Sequence, residues 1–122
     1  MTRYPCPVCG FEVFDEPSGS YQICPLCGWE DDPVQLRFPA MQGGANGDSL
    51  FELQQEVLRG LPLHVRVHDG FLRCADWRPL TPEEIRDTGG MPATGKDYFD
   101  AIDAQGKAEY YWRTTGGQGD RP

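Results

Sequence analysis

The chain has 122 residues, enough for one compact domain or for a small stapled module with a modest companion, and too few for two full-sized domains. Eleven Lys and Arg against nineteen Asp and Glu leave a formal net charge of -8, which argues against non-specific binding to nucleic acid or to an anionic membrane surface. Gly 15 and Pro 11 predict many turns, while 39% hydrophobic residues still suffice for a core.

In chain order, residues 1–42 read as a cysteine-rich module. They hold four of the five cysteines, and their only basic residues are Arg3 and Arg37 against Glu12, Asp15, Glu16, Glu30, Asp31 and Asp32. Aliphatic residues are so few that burial alone cannot order the segment, so it needs a staple. Met1 to Cys9 shows no secretory pattern, and no apolar run reaches the roughly 18 residues of a spanning helix. The expected location is therefore cytoplasmic and reducing, where clustered cysteines hold metals more often than disulfides.

The cysteines supply that staple. Cys6-Pro7-Val8-Cys9-Gly10 and Cys24-Pro25-Leu26-Cys27-Gly28 repeat one local solution. Two thiolates three positions apart face one ion across a tight turn, with proline presetting φ and glycine freeing the backbone beside the second sulfur. Phe11 to Phe14 is expected to run out as a strand, reverse at Asp15 to Gly19 and return through Tyr21 to Ile23. That path brings Cys6, Cys9, Cys24 and Cys27 around one tetrahedral ion, with Zn2+ the leading candidate. The paired turns also resemble rubredoxin modules, in which four thiolates hold one iron, so Fe is the alternative metal.

A Gly-rich joint, Gln42 to Gly47, leads into residues 43–118, expected to form a small α+β region, with residues 119–122 a disordered tail. Ser49 and Glu52 form a capping-box pattern ahead of Leu50, Leu53, Val57 and Leu58, predicting a helix over 49–59 that stops at Gly60 and Pro62. Leu63 to Val67 and Phe71 to Ala75 flank Asp69-Gly70 as a hairpin. Thr81-Pro82-Glu83-Glu84 opens a helix of about two turns. Gly89 to Gly95 reads as loop, and Tyr98 to Ile102 with Lys107 to Trp112 as a second hairpin whose aromatic residues form core.

The first half also resembles the bacterial cysteine-rich CPCC family, whose members look like zinc ribbons. The resemblance rests on Tyr4 to Gly10, on Gly19 to Gln35, and on Gly43 to Gly47 with Ser49-Leu50. It departs at Val8, where the naming motif has a cysteine. Membership implies metal binding and supplies no defined activity or partner.

Other residues read more plainly. Cys74, in a strand, is expected to be a small buried apolar residue. His64 and His68, if extended, lie ~13 Å apart, too far to share an ion. Glu30-Asp31-Asp32 reads as a solvated charge run, with an acidic patch for a basic partner as the competing reading. No nucleophile elbow, phosphate loop, dinucleotide fingerprint or zinc-protease helix occurs, so no enzyme is predicted. A four-thiolate zinc site is coordinatively closed and leaves no position for a catalytic water. The expectation is thus an α+β protein with an N-terminal zinc ribbon, rubredoxin-like in its two cysteine turns, followed by one main helix and two hairpins. Its expected role is non-enzymatic, with an unidentified protein as partner and neither nucleic acid nor membrane. The alternative is an iron electron carrier.

Overall fold

The computed structural model describes residues 3–86 and 110–113. Within them the chain is a mixed α+β protein with two small antiparallel hairpins. The first hairpin joins β1 (Tyr4–Pro5) to β2 (Glu12–Phe14), with Tyr4 opposite Phe14 and Pro5 opposite Glu12. α1 (Pro33–Arg37) and α2 (Leu50–Gly60) follow, then the hairpin of β3 (Val67–His68) and β4 (Phe71–Leu72), then α3 (Pro82–Arg86). No helix among the described residues is long and apolar enough to cross a membrane.

Local chemistry explains most of these elements. Ser49 accepts from the Glu52 amide at 3.1 Å and the Glu52 carboxylate accepts from the Ser49 amide at 2.9 Å, so α2 starts where the capping box predicts. Asp69 and Gly70 adopt φ of 52° and 85°, the pair of left-handed residues that a two-residue hairpin turn demands. Strands β3 and β4 are shorter than expected. Residues 62–65 form a turn, the Val65 amide donating to Pro62, and Arg73 continues only as an isolated bridge to Phe11. α3 keeps five residues of its predicted two turns within the described range, capped by Thr81 and Glu84.

Two expectations need correction, and one element was not expected. Residues 21–23 do not return along β2, because Tyr21 takes φ of 62° and the segment closes on 29–31 instead. Tyr21 and Asp31 amides donate to Asp31 and Gln22 carbonyls, and Ile23 bridges Glu30. α1 is an element that hydrophobic periodicity does not announce. Its signal is the dipeptide Asp32-Pro33, an N-cap followed by proline at the first helical position. Tyr111–Trp112, expected as the end of a strand, lie in a helical turn instead. The loop at 89–95, the strand 98–102, residues 107–109 and the tail fall outside the described residues.

One core joins the two halves of the described chain. It contains Cys6, Val8, Cys9, Phe11, Phe14, Cys24, Trp29 and Leu36 together with Leu50, Cys74, Trp77 and Tyr110 to Trp112. Tyr110 stacks on Trp112 at 4.6 Å between ring centroids, and Tyr111 meets Trp112 edge-on at 4.9 Å. A smaller cluster of Val34, Phe38 and Met41 lies under α1.

Candidate metal centre

Each Cys-x-x-Cys segment folds into the same knuckle. In the first, the Cys6 amide donates to Phe11 at 3.0 Å and the Gly10 amide donates back to Cys6 at 2.7 Å; in the second, Cys24 donates to Trp29 at 2.8 Å and Gly28 to Cys24 at 3.0 Å. Gly10 and Gly28 hold φ of 82° and 84°, a conformation that costs a residue with a Cβ about 1–2 kcal/mol. The Leu26 amide points at the Cys24 sulfur at 3.4 Å, as a thiolate acceptor requires.

Facing each other, the knuckles bring the Sγ atoms of Cys6, Cys9, Cys24 and Cys27 within 4.8 Å of one another. Cys6 and Cys27 sulfurs are 3.6 Å apart, and those of Cys9 and Cys24 3.8 Å. A tetrahedral ion with bonds of about 2.3 Å to sulfur needs an S···S edge of about 3.8 Å, which these two pairs match. None of the four is in a disulfide.

The electrostatics lead to the same chemistry. The surrounding sulfurs of Cys27, Cys6 and Cys9, the last at 3.8 Å, hold the Cys24 thiol far below the ordinary range. Burial, followed by bonds to Cys24 and the other sulfurs, pushes Cys6 up, and its bond to Cys24 does the same to Cys27. A divalent cation at the centre would stabilise the thiolate form of a coordinating sulfur against the burial that disfavours its charge.

The two knuckles are not equally enclosed. Cys6 and Cys9 are fully buried, whereas Cys27 is half-buried and Gly28 exposed. Residues far along the chain cover the first knuckle. Gln54 of α2 and the Trp77 indole both donate to the Pro7 carbonyl at 3.1 Å, and Arg73 Nε donates to the Cys9 carbonyl at 2.8 Å. The Trp77 ring packs so closely on Gly10 that a Cβ there would lie 2.4 Å from it. Sequence reasoning missed these three residues. The one available signal was Gln54, a polar residue on the apolar stripe of α2.

Behind the second knuckle, the acidic run is not a solvated face. Asp31 and Asp32 are 1% and 0% exposed, which removes both sequence readings for them. Asp31 accepts from the amides of Gly19 and Ser20, from the Ser20 hydroxyl and from the Trp29 indole. Burial outweighs these donors and raises its carboxyl above the usual carboxylate range. Asp32 caps α1 through Val34 and Gln35 and also takes the Ala45 amide at 2.9 Å. Gln35 and Asn46 complete the network, Asn46 pairing with both backbone groups of Glu30. The Gly-rich joint is therefore an ordered loop whose close approach at Gly44 leaves no room for a Cβ beside Asp32 and Gln35.

The fifth cysteine stays apart. Cys74 is 6% exposed and donates to Asp76 at 2.9 Å, and burial pushes its thiol up to about 11. It matches the small buried residue that was expected. Asp76 is held down at about 2 by Arg113, which donates to both its oxygens. His64 and His68 are exposed, and among the described residues the four-cysteine group alone brings three or more metal-ligating side chains together.

Residues 4–59 match the model of a family described as Cysteine-rich CPCC, a span that includes both knuckles, the ordered joint and nearly all of α2. It ends before Arg73 and Trp77. No curated protein matches the chain.

Proposed function

We propose that Cys6, Cys9, Cys24 and Cys27 bind one structural Zn2+ in a zinc-ribbon arrangement, and that the protein is a non-enzymatic adaptor or regulator of the reducing cytoplasm. The observation that carries the metal reading is the four-sulfur geometry, with edges of 3.6 and 3.8 Å between buried or half-buried thiols. Four thiolates saturate the ion, so it supplies folding free energy and cross-linking rather than a Lewis-acid position. With four thiolates and a divalent cation the protein becomes two charges more negative than -8. That balance favours a basic protein face as partner and disfavours phosphate backbones.

Metal analysis and an absorption spectrum on protein purified without added metal test the site. One equivalent of zinc and no visible colour is expected. One iron with a red, reducible chromophore supports the rubredoxin-like electron carrier instead, with the same four ligands. For the adaptor role, affinity purification from the source cells at low and high salt is expected to retain a protein in a salt-sensitive manner. Recovery of nucleic acid in its place would overturn that role.

A further inference from the structure

Among the described arginines, Arg73 and its neighbour Arg66 both donate to backbone carbonyls, and of the two only Arg73 is buried. Arg78, Arg86 and Arg113 reach the carboxylates of Glu84, Glu83 and Asp76. Arg73 is 4% exposed, and among the described residues no carboxylate pairs with it. Its hydrogen bonds go to carbonyls: Cys9 at 2.8 Å, Pro62 at 2.6 Å, Leu61 at 2.9 Å and Val65 at 3.0 Å. Its guanidinium lies 4.5 Å from the centre of the Phe11 ring and 5.3 Å from that of Trp77. Carbonyl dipoles and aromatic faces solvate a cation in part, yet an interior charge without a counter-charge remains expensive.

The missing counter-charge is adjacent. Four thiolates around a divalent ion carry two net negative charges, and the Arg73 Nε proton is bonded to the backbone of one of the ligating residues. The Phe11–Arg73 bridge and the Cys74 amide on Gly10 at 2.7 Å fix Arg73 in register with the first knuckle. On the opposite knuckle the buried charged side chains are carboxylates, Asp31 and Asp32, which worsen the imbalance. We infer that Arg73 is the buried counter-ion of the four-cysteine centre, a positioning residue that holds the first knuckle and stabilises the dianionic metal-tetrathiolate.

This inference rests on the metal reading above, and its test separates the two. Zinc affinity and the midpoint potential of iron-loaded protein are measured for wild type, Arg73→Met and Arg73→Lys, with iron as a probe of the local field. Removing the buried cation is expected to weaken zinc binding at least about tenfold, in the range seen for groups that support metal ligands. It is also expected to lower the iron potential, by about 59 mV for each tenfold shift between the oxidation states of a one-electron couple. Arg73→Lys, which keeps the charge, is expected to hold the potential near that of wild type. Arg73→Gln, which retains a donor for the Cys9 carbonyl, replaces the Met variant if that variant does not fold. An unchanged potential in the neutral variant, or an equal drop in Arg73→Lys, overturns the counter-ion role. Wild-type protein that takes up neither metal overturns the four-thiolate reading itself.

Discussion

Gly10 and Gly28 occupy equivalent places in the two knuckles with nearly equal φ, yet their surroundings differ. A Cβ at Gly28 would meet nothing within 4 Å, whereas at Gly10 it would strike three ring atoms of Trp77 at 2.4, 2.6 and 2.9 Å. The pair therefore separates backbone strain from packing. Gly28→Ala is expected to cost about 1–2 kcal/mol, the strain alone. Gly10→Ala adds displacement of a buried indole, of order 1–3 kcal/mol more. Denaturant unfolding of the variants, compared in the same metal state, measures the difference; equal costs would show that Trp77 does not close on the first knuckle.

Among the elements, α2 makes the most specific connection to the metal centre. Its Gln54 side chain is fully buried and saturated, donating to Pro7 and to the Tyr111 hydroxyl and accepting from the Leu80 amide at 2.8 Å. Gln54→Leu keeps the volume and strands the Leu80 amide, while Pro7 keeps the Trp77 indole and the Tyr111 hydroxyl keeps the Arg78 carbonyl, at an expected cost of about 2–3 kcal/mol. Ser49→Ala removes only the cap and is expected to cost about 1 kcal/mol. Thermal unfolding ranks the two, and a larger loss for Ser49→Ala would contradict the role given to Gln54. The contrast also explains what could be read from the chain. The capping box, the Asp69-Gly70 turn and the paired cysteines are written within a few consecutive residues, so spacing reveals them. Gln54, Arg73 and Trp77 reach Pro7 and Cys9 across 47 to 70 positions, a separation that leaves no periodic trace. Asp31 and Asp32 misled for a related reason. Many of their donors are backbone amides of residues 19, 20 and 45, and a backbone donor has no sequence signature.

At the scale of the molecule, the four ligand cysteines, α2, Cys74 and Trp77 share one hydrophobic core. Chelation is therefore expected to act beyond the cysteine segment. Hydrogen exchange before and after treatment with a strong chelator should show lost amide protection through residues 3–42. It should also show weakened protection in α2 and at Cys74 and Trp77, whose amides donate to Gly10 and Cys74. Protection retained at residues 6–11 after complete metal removal would mean that the hydrophobic core alone orders the knuckles.

The clamp on Pro7 and Cys9 also sets an order of events in the making of the protein. All four ligands exist once residue 27 has been synthesised, but Gln54, Arg73 and Trp77 follow 47, 64 and 70 positions behind the carbonyls they grip. A nascent segment already holds every sulfur needed to capture an ion, whereas enclosure waits for a chain extended to Trp77. On the metal reading proposed above, acquisition and sealing of the centre are thus separable steps, with an ion captured early as the template on which the later residues dock.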